Sequence, residues 1–414
     1  MNARTLMLIL FLVLAAFAAN AAVAGIVGAQ DALTPGQTLG KSIFFDQNLS
    51  INSNQSCASC HDPAAGWTGP HSAINAHGTV YEGSIPGHFG NRKPPAAAYA
   101  TFSPIFHLDK KGDFVGGNFW DGRATGERLG SPAADQAQGP FLNPLEQALP
   151  TATDVVNRVC GSSYGDLFKE VWGSSICAEP NGATAYDAIA LSIAAYEASP
   201  EVNAFTSKYD LSYAGKVKLT KQEQTGYALF RGKGQCHRCH ISNGQSALFT
   251  DYTFDNLGLP RNPENPFYAM TDFNPDGFDW IDSGLGGFLA SRSDYAAFAA
   301  ANLGKHKVPT LRNVALNSCE TEPDNPNCIV KAYGHNGYFK SLKGIVHFYN
   351  TRDILPQCAD WFTTEAEALA MNCWPKAEVL ENINRAELGN LGLTAEEEAA
   401  IVAFLAALSD GFVP

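Results

Sequence analysis

Methionine, basic charge and long apolar runs are what this chain has little of. Four methionines occur in 414 residues, and only Met270 and Met371 lie beyond the N-terminal segment. Lys and Arg total 28 against 41 Asp and Glu, a formal net charge of -13. No basic run tracks a polyanion, so nucleic acid is not expected as a partner. The longest apolar stretch, residues 6–18, is short of the ~20 residues that span a bilayer. It follows Arg4 and precedes the small residues of "AANAAVAG". Residues 1–24 therefore read as a secretory signal cleaved near Ala21 or Ala24, leaving a periplasmic or otherwise exported protein with no stable membrane insertion. Strand-like alternation is also scarce, as in "TDFNPDGFDWIDSGLGG", and little β structure is expected.

Export changes how the ten cysteines are read, because disulfides persist outside the cytosol. Six fall into sequence-local pairs, and Cys160 with Cys177, Cys319 with Cys328 and Cys358 with Cys373 is the simplest pairing. The other four form "CASCH" (57–61) and "CHRCH" (236–240), the same C-x-x-C-H spacing twice. A structural zinc site adds further close ligands, and a redox dithiol needs no adjacent histidine. In an exported chain the pattern is that of two covalent c-type haems. Cys57, Cys60, Cys236 and Cys239 would bond the vinyl groups, with His61 and His240 as proximal iron ligands. His237 reads as a spacer inside the second motif.

Each motif follows a short amphipathic segment carrying Gly-x-x-x-Phe, Gly40 to Phe44 and Gly226 to Phe230, and Thr220 with Glu223 forms a capping box before the second. This repetition suggests a duplicated haem domain. Helical spacing recurs over residues 184–199, and again after the capping box of Thr394 and Glu397. The expected fold is mainly α: two cytochrome c-like haem domains, residues 25–205 and 206–414, with long irregular loops.

The segments "FWDGRA" (119–124), "QAQGPFLNPLEQ" (136–147), "VPTLRNVAL" (308–316) and "GHNGYFKSLKGIVHFYN" (334–350) fall in that order around the two motifs. Together they resemble the bacterial di-haem cytochrome c peroxidase and MauG family over nearly the whole mature chain. The resemblance implies that the haem of His61 reacts with hydrogen peroxide, that the haem of His240 stores or delivers an electron, and that Trp120 bridges them. Gln136 and Glu146 match the family's distal glutamine and glutamate, with Pro140 between. A carboxylate beside the iron moves a proton between the peroxide oxygens, and an amide orients peroxide without adding charge.

Tyr349 stands where peroxidases of the family carry methionine and MauG carries tyrosine. A phenolate favours ferric and higher iron states. His335 matches a family histidine, and Met270 reads as a packing residue. His77 matches the histidine that caps the first haem in the peroxidases and that MauG lacks, with His71 and His88 weaker candidates in the same loop. One interhaem calcium ion is implied, with Asn91 in "GNRKPP" as a candidate ligand. Tyr349 favours a MauG-like enzyme, in which peroxide oxidises the haem pair and the pair withdraws electrons from a Trp or Tyr of a secreted protein, whereas His77 points to the peroxidases. The alternative is a cytochrome c peroxidase, reducing peroxide with electrons from a small cytochrome or cupredoxin. A non-catalytic di-haem carrier is the third reading, and Gln136 and Glu146 argue against it.

Overall fold

Helix Pro35–Phe44 starts at a capping box in which Thr34 and Gln37 exchange side-chain and backbone hydrogen bonds, with Pro35 in its first turn. Its Gly40 faces helix Ala183–Glu197 so closely that a Cβ there would lie 2.6 Å from the Ser192 carbonyl carbon and 2.9 Å from Tyr196 Cβ. Only glycine permits this crossing. The second half of the chain repeats it. Helix Lys221–Arg231, opened by the Thr220 and Glu223 box, crosses helix Ala395–Ala406 at Gly226. A Cβ there would lie 2.6 Å from the Ala400 carbonyl carbon and 2.9 Å from Phe404 Cβ.

An aromatic triad sits beneath each crossing. Phe44, Trp67 and Tyr196 meet edge to face at centroid distances of 5.8, 5.7 and 5.9 Å. Phe230, Phe249 and Phe404 repeat the arrangement at 6.1, 5.3 and 6.2 Å. Such contacts add to area burial and prefer tilted geometry. The shared Gly-x-x-x-Phe is thus the local trace of a duplicated core unit.

The structure, a computed structural model, describes residues 32–178 and 182–414, so the secretory signal expected over residues 1–24 lies outside them. Thr34–Pro414 forms one compact unit. It is mostly helical and irregular, as expected. Its ladders are two-stranded and antiparallel, pairing His107–Leu108 with Phe114–Val115 and Phe254–Asp255 with His306–Lys307. Among the described residues, no helix is long and apolar enough to cross a membrane.

The three expected disulfides are present, joining Cys160 to Cys177, Cys319 to Cys328 and Cys358 to Cys373, while the four motif cysteines stay unbridged. In the second half of the chain, Arg312 is 2% exposed and grips Asp210 through two hydrogen bonds of 2.8 and 2.9 Å. The pair ties the "TLRN" segment to helix Lys208–Tyr213. Breaking such a buried pair costs about 3–5 kcal/mol.

Candidate functional site

Each C-x-x-C-H motif folds as one tight turn, Cys57–Ser59 and Cys236–Arg238, closed by the amides of His61 and His240 on the carbonyls of Cys57 and Cys236 at 3.0 and 2.9 Å. Nδ1 of His61 lies 3.3 Å from the Trp67 carbonyl, and Nδ1 of His240 lies 2.8 Å from that of Phe249. Donation from Nδ1 fixes the tautomer and leaves Nε2 free as a ligand. The two accepting residues share a left-handed backbone, with φ of 63° at Trp67 and 52° at Phe249. Burial lowers both imidazoles to about 4, so they are neutral. Desolvation also pushes the thiols of Cys57 and Cys236 up to about 12, and those of Cys60 and Cys239 upward as well.

Cys236, Cys239 and His240 line one cavity with Trp120 and Tyr349, between apolar walls that include Leu259 and Leu405. Two thiols, a neutral imidazole with a free Nε2 and apolar walls fit a covalently attached haem. Tyr349 projects from helix Leu342–Thr351, which Ser341 caps. Trp120 is buried, and its Nε1 donates to the Lys93 carbonyl at 2.8 Å.

The carboxyl of Glu146 is brought to the first motif by backbone bonds. Gln147 N donates to Pro140 O at 3.1 Å, Ser84 N to Glu146 O at 2.6 Å, and Ile51 N to Gln147 O at 2.8 Å. Desolvation raises the Glu146 carboxyl above its ordinary range, opposed by Arg123 and by a hydrogen bond from Asn143. Its charge in turn raises the thiols of both Cys57 and Cys60. Arg123 stacks on Phe119 at 3.9 Å. Gln136 lies half-buried on helix Pro132–Ala137, and Pro140 is in the first turn of the next helix, Gly139–Leu142.

Other candidates lie elsewhere. His77 is 69% exposed at its side chain and places Nδ1 2.8 Å from Glu264. His88 Nδ1 lies 2.9 Å from the Pro144 carbonyl, and His71 packs on Tyr81. Met270 Sδ accepts from Phe89 N at 3.2 Å, and Met371 is 58% exposed. Neither methionine lines the cavity of His240, and nor do Asn91 and His237. Asn91 is engaged through its carbonyl, which accepts from Asn265 at 3.1 Å.

Several residues with chemical potential were not singled out from the sequence. Glu197 ends helix Ala183–Glu197, carries a carboxyl that burial raises to about 8, and acts on Cys57. Lys93, Lys307 and Lys331 line the cavity beside Trp120, and desolvation lowers them to about 8, 7 and 7. His306 stacks on His335 at 3.5 Å, with Nε2 atoms 3.3 Å from Asp282 and 3.5 Å from Glu378. Arg92 already holds Asp282 by two bonds of 2.6 Å. No spacing pattern joins these residues, which come from distant segments. In "GNRKPP" the eye goes to Asn91, yet Lys93 is the residue that faces the cavity.

The duplicated crossing, the paired motifs and the tyrosine-lined cavity define a di-haem c-type oxidoreductase. The family described as di-haem cytochrome c peroxidase matches residues 34–218. The methylamine utilization protein MauG of Paracoccus denitrificans (strain Pd 1222) is 35% identical over 92% of this chain and 89% of its own length. The cytochrome c551 peroxidase of Pseudomonas aeruginosa is 30% identical over 78% of this chain and 73% of its own length. The diheme peroxidase BthA from Burkholderia thailandensis E264 superposes with a TM-score of 0.71 at 29% identity, covering 92% of this chain and 87% of that one. The chain belongs to the di-haem cytochrome c peroxidase and MauG family.

Proposed function

We propose that the chain is an exported, MauG-like enzyme that reacts with hydrogen peroxide at the site of His61 and Glu146 and withdraws electrons from a secreted protein partner through the site of His240. The observation that carries this reading is Tyr349, which lines one cavity with His240, Cys236 and Cys239, while Met270 and Met371 are absent from that lining. An oxygen ligand there favours oxidised iron over ferrous iron. The three disulfides support an oxidising compartment. The duplicated helix crossings support two haem-bearing lobes, residues 25–205 and 206–414.

When bound, the haems supply peroxide cleavage and the oxidising equivalents. Glu146, whose desolvated carboxyl binds a proton more firmly than an exposed one, takes and returns the peroxide proton. Gln136 orients the bound peroxide, and Pro140 holds the Glu146 turn through its carbonyl. Trp120 offers an electron path on the wall of the His240 cavity. Its N–H is given to a backbone carbonyl, which is no base, so the indole keeps its proton.

Adding peroxide to the diferric protein tests this reading. A long-lived near-infrared absorption without prior reduction is expected. A strict need for half-reduction would transfer the chain to the cytochrome c peroxidase branch, with His77 leaving Glu264 to reach the first iron. No response at either haem would reduce it to an electron carrier. Tyr349→Met should raise the midpoint potential of the second haem and shorten the life of the oxidised state; an unaltered second haem refutes the ligand assignment.

A further inference from the structure

Like Lys307, two further lysines of the cavity beside Trp120, Lys331 and Lys93, lie without a carboxylate in ion-pair contact among the described residues. Lys331 is 4% exposed, and its Nζ donates to the Ala65 carbonyl and, at 3.4 Å, to the Leu316 carbonyl. Lys93 is half-buried, and its Nζ donates to Thr68 Oγ1 at 2.9 Å and to the Pro94 carbonyl at 3.0 Å. Both line the cavity shared by Trp120, His240 and Tyr349. Trp120 is tied to the same segment, since its indole donates to the Lys93 carbonyl.

The acceptors around the two ammonium groups are one hydroxyl and three backbone carbonyls. These are the hard, neutral oxygens that elsewhere hold calcium. Here covalently tethered cations occupy them. A calcium ion also needs about six to eight oxygens, usually with carboxylates among them. Asn91 does not line the cavity. A dication placed among these oxygens would meet two ammonium charges in a poorly screened interior. The residues present do not fit the calcium ion expected from the family resemblance.

Desolvation lowers Lys331 to about 7, so its ammonium needs an anion beside it to stay charged. The anions that the cavity would admit are the carboxylates of a bound haem.

We infer that Lys93 and Lys331 provide the fixed positive charge beside Trp120, serving as cofactor-binding groups for haem carboxylates at a position that takes no divalent cation. The inference rests on the di-haem reading. A haem count by pyridine haemochrome, expected at about two per chain, tests that reading separately from the lysines.

The experiment measures calcium content, haem absorption and midpoint potentials of the purified holoprotein before and after EGTA. We expect below about 0.1 calcium per chain and no spectral change; about one tightly held calcium per chain, with spectra that shift on its removal, overturns the inference. Lys331→Met should lower the potential of the second haem, because a buried positive charge that opposes oxidised iron is lost, and added calcium should not restore it. An unchanged potential, or rescue by calcium, counts against the proposal. Lys93→Asn, which exchanges an ammonium for a neutral oxygen donor, should make the spectrum sensitive to calcium and EGTA. If either variant fails to retain haem, the wild-type calcium measurement still decides.

Discussion

Replacing Gly226 by alanine places a methyl carbon 2.6 Å from the Ala400 carbonyl carbon and 2.9 Å from Phe404 Cβ. Carbon atoms rest at about 3.5–4.0 Å, so the two helices must part by about 1 Å. Overpacking of this kind costs about 1–3 kcal/mol, and the better helix propensity of alanine returns up to about 1 kcal/mol. The net loss should be about 1–2 kcal/mol, a fall of a few degrees in melting temperature. Gly36→Ala is the control, since its Cβ would find nothing nearer than Val171 Cγ1 at 4.0 Å; it should be neutral or stabilising by up to about 1 kcal/mol. Melts followed at the haem absorption, with haem content measured in parallel, provide the assay. Because Gly226 sits in the helix leading to Cys236 and Gly40 in the one leading to Cys57, each alanine should disturb mainly its own haem. If Gly226→Ala and Gly36→Ala melt together, or Gly226→Ala disturbs both haems equally, the duplicated close crossing is wrong.

Glu146→Gln should keep both haems yet slow the reaction with peroxide by about 10²–10⁴-fold, as measured by stopped-flow absorption; an undiminished rate removes the carboxyl from the proton transfer. Glu197 links stability to pH. Its carboxyl rises from 4.5 to about 8 in the folded chain, so between these values the native state holds a proton that the unfolded state releases, and stability falls as pH rises through the window. Allowing for solvent near a half-buried group, Glu197→Gln should remove about 2–4 kcal/mol of that fall. Denaturant titrations at pH 5 and pH 8 that give the same difference for both proteins would show that the carboxyl is not held protonated.

The parts legible in the sequence depend on near neighbours. The C-x-x-C-H turns, the three disulfide loops and the Thr220 and Thr394 capping boxes each lie within a few residues or one short loop. Helix 183–197 was found within two residues of its ends, because its apolar run holds no glycine or proline between Gly182 and Pro200. What was missed joins distant segments. His77 meets Glu264, a residue that no local pattern pairs with it. Lys331 crosses to Ala65 and Lys93 to Thr68, and nothing in "GNRKPP" or "VKAYG" announces a buried ammonium, since isolated lysines are ordinarily solvated.

By itself, the sequence determined the cofactor chemistry and its duplication, because the thiol pair, the following histidine and the glycine four residues before a phenylalanine are encoded by short spacing. Only the tertiary structure decided which helix each glycine meets, Ser192 and Tyr196 for Gly40, and Ala400 and Phe404 for Gly226. It also placed Tyr349, Lys93 and Lys331 in the lining of the His240 cavity. Those outcomes depend on close packing and on desolvation, which act between neighbours in space and leave no period along the chain.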